Sequence, residues 1–77
     1  MLAGIKGMWK VSNIEDFVET FGCEKEFKEV TGKSIEEWDY EEYDDEVIEK
    51  ILERIEGTYF FYFDEAEDCF YIFELEV

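Results

Sequence analysis

The sequence predicts a small α+β protein in which a three-stranded antiparallel sheet carries two to three helices on one face. Three observations predict this class: hydrophobic residues alternate near the N-terminus, recur at helical spacing in the middle, and form two aromatic runs around a polar loop near the C-terminus. The length suits a single domain, assigned to residues 1–77. The strand order is left open, because the N-terminal strand fits equally well beside either strand of the C-terminal hairpin.

The first predicted strand spans residues 2–11, where apolar and polar side chains alternate. The alternation places Ile5, Trp9 and Val11 on one side of the strand. The opposite side carries Lys6, Met8 and Lys10. This pattern is typical of a strand with one half-buried face.

Two short amphipathic helices are predicted after this strand. Ser12 and Glu15 have the S-x-x-E spacing of a capping box, so the first helix is expected to begin there and to end at Gly22. The second helix is expected to end near Gly32. The apolar positions at i, i+3, i+4 and i+7 are Ile14, Phe17, Val18 and Phe21 in the first helix, and Cys23, Phe27 and Val30 continue such a pattern in the second.

A single turn and a third helix are predicted next. Ser34 and Glu37 repeat the capping-box spacing and favour one helical turn. Asp44 or Asp45 is expected to cap the third helix, and Gly57 is expected to end it. The apolar stripe of this helix is Val47, Ile48, Ile51, Leu52 and Ile55.

Residues 58–63 and 69–77 predict an antiparallel hairpin, because both runs are aromatic or β-branched and they flank the polar loop 64–68. With the loop centred on Ala66, Phe61 is expected to face Tyr71. One face of the last strand is apolar throughout and consists of Cys69, Tyr71, Phe73, Leu75 and Val77. The other face, with Phe70, Ile72, Glu74 and Glu76, becomes acidic towards the C-terminus and is expected to be only partly covered by protein.

The acidic residues are concentrated in the second part of the chain. Residues 1–33 carry a net charge of −1 and residues 34–77 a net charge of −15, which together give the −16 of the whole chain. Eight of the eleven residues at 36–46 are acidic, and the other three are Trp38, Tyr40 and Tyr43. A strongly positive partner best explains so one-sided a surface, and most strongly positive protein surfaces hold nucleic acid.

The charge distribution therefore favours a nucleic-acid mimic that binds and blocks the basic nucleic-acid-binding surface of another protein, such as a nuclease or CRISPR effector. Within this class we favour a phage or mobile-element anti-CRISPR or anti-restriction inhibitor, acting in the host cytosol without contacting a membrane. Two alternatives remain open: an immunity protein of a nuclease toxin, and an acidic structural or adaptor protein that self-associates as a homodimer through its aromatic hairpin. The expected partner-binding residues are Glu36, Glu37, Asp39, Tyr40, Glu41, Glu42, Tyr43, Asp44, Asp45, Glu49, Glu53, Asp64, Glu65, Glu67 and Asp68.

Part of the acidic segment also has a purely structural interpretation. Tyr40, Tyr43 and Val47 fall at i, i+3 and i+7, so the tyrosines are expected to extend the buried stripe of the third helix. Trp38 is expected in the core. Acidic residues in a first helical turn stabilise the helix dipole, and Asp44, Asp45 and Glu46 are placed to do so.

Other function classes are less well supported. The chain has no histidine, no glycine-rich phosphate loop and no nucleophile elbow, so neither an enzyme nor a cofactor is expected. The acids at 39–46 do not match an EF-hand, and Cys23 and Cys69 lack zinc-ligand spacing, so no metal is expected and both thiols are predicted to be buried and reduced. The seven lysines and arginines are scattered, which argues against direct nucleic-acid binding. Halophilic adaptation is expected to spread acidity over the whole chain, whereas residues 1–33 are nearly neutral.

Overall fold

The computed structural model describes residues 4–39 and 44–76. The elements in chain order are strand β1 (Ile5–Val11), helices α1 (Ile14–Phe21) and α2 (Glu24–Thr31), a short 3-10 helix (Ile35–Glu37), helix α3 (Asp44–Arg54), and strands β2 (Thr58–Asp64) and β3 (Cys69–Leu75). The strands form an antiparallel sheet in the order β1-β3-β2. The predicted α+β class is confirmed, and the C-terminal strand lies in the centre of the sheet.

The helices cover one face of the sheet. Cross-strand pairing aligns Trp9, Ile72 and Phe61 in one row on this side, and Val11 and Phe70 belong to the next row. The core joins the two rows to the inward faces of the helices, because burial of apolar surface is the main favourable term in folding. Its buried members are Val11, Ile14, Phe17, Val18, Cys23, Phe27, Trp38, Val47, Ile48, Ile51, Leu52, Phe70 and Ile72.

The opposite face of the sheet is not covered by any element among residues 4–39 and 44–76. We call it the open face. Its rows across all three strands are Ile5–Leu75–Thr58, Met8–Phe73–Phe60 and Lys10–Tyr71–Tyr62. The face of β3 that is apolar throughout is therefore the open one, and the helices cover the face that turns acidic at Glu74. Trp9 and Val11 pair with Ile72 and Phe70, so the apolar side of β1 lies on the same face of the sheet as the side of β3 that carries Glu74. The helices cover that face.

The hairpin register differs by one residue from the predicted one. Phe61 pairs with Ile72 instead of Tyr71, and Asp64 pairs with Cys69. Asp64 therefore belongs to β2, and the loop has the four residues 65–68. The last of these, Asp68, adopts a left-handed conformation with φ of 54°, which aspartate tolerates better than most residues. A five-residue loop centred on Ala66 is thus wrong.

Strand β1 contains a bulge that also corrects the predicted alternation. The register shifts between Ile5 and Gly7, so Ile5 pairs with Leu75 while Gly7 pairs with Glu74. An extra residue reverses the side to which the preceding side chains point. Ile5 is consequently 62% exposed and does not share the covered side with Trp9.

The start of helix α1 lies one residue later than the S-x-x-E pattern predicts. Asn13 is the N-cap, and its Oδ1 accepts a hydrogen bond of 2.8 Å from the Asp16 N–H. The Asp16 carboxylate in turn accepts from the Ser12 N–H at 2.9 Å. Asn13 therefore caps the helix while Asp16 bonds back to Ser12, so the predicted box of Ser12 and Glu15 is wrong. The predicted end at Gly22 is confirmed, with φ of 62°.

The remaining helix predictions are largely confirmed. Helix α2 ends before Gly32, the single turn after Ser34 forms, and the inward stripe of α3 is buried. Asp44 and Asp45 lie inside the first turn of α3 and do not precede it as caps. The helix ends at Arg54, three residues before Gly57.

We predict that truncating side chains on the two faces of the sheet has very different effects. Ile72→Ala removes a fully buried side chain beneath the helices and is expected to lower the free energy of unfolding by about 2–5 kcal/mol. Phe60→Ala, at an open-face position that is 56% exposed, is expected to cost only about 0.2–1 kcal/mol in lost cross-strand contact. Urea denaturation followed by circular dichroism measures both values. Equal losses would contradict the assignment of the covered face.

Candidate functional site

Helix α3 divides its exposed charges between two unlike flanks. On the flank towards α2, Arg54 forms an ion pair with Glu29, with Nη1 and Oε2 3.7 Å apart. Lys50 lies one turn before Arg54 on the same side. On the flank towards β2, Glu49 and Glu53 are exposed one turn apart. The helix therefore directs its bases towards α2 and these two acids towards β2.

An open groove of about 420 Å³ separates this acidic flank from strand β2. We call it the edge groove; it is lined by Glu49, Leu52, Glu53 and residues 57–61. Strand β2 lies at an edge of the sheet, because β3 separates it from β1. The groove thus combines a strand edge, the apolar side chain of Leu52 and two carboxylates that form no ion pair within residues 4–39 and 44–76.

Gly57 fixes one end of the edge groove. Its φ of 130° favours glycine, and a Cβ at this position would lie 2.7 Å from the ring of Tyr59. The Tyr59 hydroxyl donates a hydrogen bond of 3.2 Å to the Glu56 carbonyl, which holds the ring over the glycine. Burial, followed by the nearby charges of Glu74 and Glu56, raises the pKa of Tyr59. The chain can therefore turn from α3 into β2 close beneath an aromatic ring.

Asp44 is a predicted partner-binding residue that the fold itself uses. The Nε1–H of Trp38 donates a hydrogen bond of 2.8 Å to Asp44 Oδ1. Trp38 is buried, as predicted, and meets the Phe27 ring edge-on at 5.4 Å between ring centroids. Burial raises the pKa of Asp44, the hydrogen bond from Trp38 opposes that shift, and the charges of Asp45 and Asp39 add to it. Asp44 therefore anchors the start of α3 to the core.

Asp64 and Glu67 are also engaged within the hairpin. Asp64 Oδ1 accepts hydrogen bonds from the N–H groups of Ala66 and Glu67, at 3.0 and 3.2 Å, which shapes the loop. Glu67 forms an ion pair of 2.8 Å with Lys10 and accepts a hydrogen bond from the Tyr71 hydroxyl. These contacts, led by the hydrogen bond from Lys10, lower the pKa of Glu67. Its charge is largely offset by Lys10.

The other predicted acids fall into separate groups. Asp45 lies beside Phe63 and Phe70 at the loop end of the hairpin, where Glu65 and Asp68 are exposed. Glu36 lines a small cleft against α2, and Glu37 accepts a hydrogen bond from the Ser34 hydroxyl at 3.0 Å. Asp39 is exposed and follows the buried Trp38. The structure thus places Asp45, Glu49 and Glu53 on successive turns of α3 beside the hairpin, leaves Glu65 and Asp68 exposed in the loop, and places Glu36 with α2.

Four predicted partner-binding residues lie outside the described ranges. These are Tyr40, Glu41, Glu42 and Tyr43. The interpretation of the two tyrosines as an extension of the α3 stripe falls in the same segment and stays a prediction.

Two surfaces were not predicted in the form that the structure shows: the hairpin was expected to leave the acidic side of β3 partly uncovered, and no groove was predicted beside β2. The open face stacks Tyr62 on Tyr71 with ring centroids 5.5 Å apart, and Phe60 lies 6.3 Å from Phe73. The alternation of Phe60 and Tyr62 along β2 was a readable signal for such a surface. The edge groove had no signal of its own, because it depends on β2 being an outer strand.

Neither a metal centre nor a membrane span is found in the described part of the chain. Cys23 and Cys69 are free and buried, as predicted, and burial raises the pKa of the Cys23 thiol to about 11. No grouping of three or more potential metal-ligating side chains occurs among residues 4–39 and 44–76. No helix within those ranges has the length and apolar character needed to cross a bilayer.

Comparison of the chain with protein-family profiles, with curated protein sequences and with solved structures finds no match.

We predict that the hydrogen bond from Tyr71 controls the ionisation of this residue. The Glu67 carboxylate is the main cause that raises the pKa of Tyr71 to about 12. Glu67→Gln is expected to return that pKa towards the ordinary value of 10.0, because the charged acceptor is lost. Ultraviolet titration of the tyrosines at alkaline pH measures the shift. Glu65→Gln in the same loop is the control and is expected to leave the titration unchanged; an unaltered curve for Glu67→Gln would contradict the assignment.

Proposed function

We propose that this protein mimics nucleic acid and blocks the basic nucleic-acid-binding surface of another protein. One observation carries the proposal: the exposed carboxylates of Glu49 and Glu53 line the β2 side of α3 with Asp45 one turn before them, and Arg54 is paired on the opposite flank. Asp45, Glu49 and Glu53 form no ion pair within the described residues. A basic partner would supply the missing counter-charges.

The spacing and amount of charge support this proposal. Glu49 and Glu53 are separated by one helical turn, or roughly 6 Å along the axis, close to two phosphate steps of one strand at about 3.4 Å each. Duplex DNA carries one charge per roughly 1.7 Å, so the net −15 of residues 34–77 corresponds to about 25 Å of duplex. The molecule measures 43 × 29 × 17 Å, which accommodates that length.

The proposed function is non-catalytic, and its setting is the cytosol of a host cell. An inhibitor carried by a phage or mobile element against a CRISPR effector or restriction nuclease would meet a large basic surface there. An immunity protein that neutralises a nuclease toxin would use the same chemistry. Both belong to one class, because each occupies a site built for phosphate.

We predict that duplex DNA displaces the partner from this protein. The immobilised chain is incubated with lysate of a nuclease-bearing bacterium, and retained proteins are eluted with duplex DNA at constant ionic strength. Because mimic and DNA would compete for one basic surface, nucleic-acid-binding proteins are expected in the eluate, and raising the salt concentration should also release them. Partners that salt releases but duplex DNA does not would contradict the proposal.

A double charge reversal tests whether the partner contacts the β2 side of α3. Glu49→Lys with Glu53→Lys is expected to weaken binding of the eluted partner by at least about tenfold, because close interfacial charge pairs contribute more than 1.4 kcal/mol each. The control is Glu19→Lys with Glu24→Lys, which changes the net charge equally at exposed positions of α1 and α2. Equal losses in both variants would show that net charge, and not this flank, drives binding.

A second function, self-association through the open face, is favoured by the exposed aromatic side chains of that face. Phe60 and Tyr62 are 56% and 43% exposed although they are large and apolar. Lys10 is the one charged residue in the three rows of this face, and it is paired with Glu67. Apolar surface of this kind marks many protein interfaces.

Sedimentation equilibrium at high salt tests this second function. An adaptor is expected to form dimers that persist when charge is screened and that dissociate in the Phe60→Ser, Tyr62→Ser double variant, because the apolar contact is lost. A protein that stays monomeric across the concentration series would contradict self-association and would leave the mimic unaffected.

A further inference from the structure

The two edges of the sheet differ in how well they are protected against an additional strand. Strand β1 has a bulge between Ile5 and Gly7 and carries Lys6 and Lys10, and bulges and lysines are devices that block strand addition. Strand β2 has the sequence TYFFYFD, with no lysine, proline, glycine or bulge. Within the described residues, no backbone hydrogen bond from another element reaches β2 on its outer side. The β1 edge is thus protected against strand addition, and the β2 edge is not.

We propose that the edge groove binds an extended, positively charged segment of a partner protein, which adds to β2 as a fourth strand. Main-chain hydrogen bonds to β2 would supply affinity, and the neighbouring side chains would supply specificity, as in other cases of strand addition. This inference rests on the proposed function in one respect, the positive charge of the partner. It adds the conformation of the bound segment and the edge that holds it.

The pleat of the sheet sets the sequence pattern of the bound segment. Successive side chains of an added strand point to opposite faces. Those on the helix side would lie beside Glu49 and Glu53, which favours lysine or arginine. Those on the other side would continue the surface of Phe60 and Tyr62, which favours apolar residues. The occupant is therefore a strand in which basic and apolar residues alternate.

Charge argues against a second copy of this chain as the occupant. Antiparallel pairing of β2 with β2 of another copy would bring two sets of Glu49 and Glu53 to the same side of one sheet, with like charges facing. Strand β1 of another copy is interrupted by its bulge, and Lys10 is already paired with Glu67. A partner of opposite charge has neither obstacle.

A synthetic peptide tests the inference with the intact protein. The probe has eight residues, one more than β2, and alternates four lysines with four valines, so that methylating either set adds the same number of groups. Two isomers carry N-methyl groups on the backbone of every lysine or of every valine. In a strand, the N–H groups of alternate residues point to the same edge, so one isomer blocks the edge that meets β2 and the other leaves it free.

The parent peptide is expected to shift the amide resonances of β2 and of the β2 flank of α3 in NMR titrations. One methylated isomer should bind at least about tenfold more weakly than the other, because it loses several hydrogen bonds at equal charge. Glu49→Lys with Glu53→Lys should weaken the parent peptide by a similar factor, and Glu19→Lys with Glu24→Lys should not.

Two results would overturn the inference. Equal affinities of the two methylated isomers would show that charge alone attracts the peptide. Absence of binding, or binding that the α3 variant does not weaken, would show that the edge groove is not the site. Neither result bears on displacement of a protein partner by duplex DNA, so the mimic function stands or falls separately.

Discussion

The burial of the central strand beneath the helices is the constraint on which the other features depend. Ile72 is fully buried and lies in one row with Trp9 and Phe61, so a single apolar surface spans all three strands. The described helices are enough to cover one face of the sheet, and a domain of this size buries only about 60% of its unfolded surface. The open face with Phe60 and the free edge at β2 follow from that limit. A larger domain would bury both under further elements.

The same arrangement determines where the negative charge lies. Helix α3 packs its apolar stripe into the core, so its charged residues fall on two flanks, and the order of the chain gives the bases to the flank beside α2. Arg54 reaches Glu29 across that boundary. The other flank meets an outer strand that has no basic residue, so Glu49 and Glu53 remain without a counter-charge among the described residues. The acidic edge is a consequence of helix orientation combined with strand order.

Several carboxylates form hydrogen bonds or ion pairs within the fold, which offsets part of the net charge of −16. Asp44 accepts a hydrogen bond from the indole N–H of Trp38, Asp64 accepts hydrogen bonds from the amide groups of the loop, and Glu67 is paired with Lys10. Each lies where a fixed donor offsets repulsion from its neighbours. Only acids without such a donor are fully available to a partner. Acid density in the sequence therefore overstates the charge that is free to bind.

The sequence by itself determined the elements and the fold class, because periodicities of two and 3.6 residues, together with Gly22 and Gly32, are local signals. It also indicated that Trp38 belongs to the core. Only the tertiary structure decided that β3 is central, that Ile5 is exposed and that Asn13 caps α1. The bulge and the hairpin register depend on pairing between distant residues, and a shift of one residue reverses every side chain beyond it. The edge groove also depends on tertiary structure, because Glu49 lines an open edge only when β2 is an outer strand of the sheet.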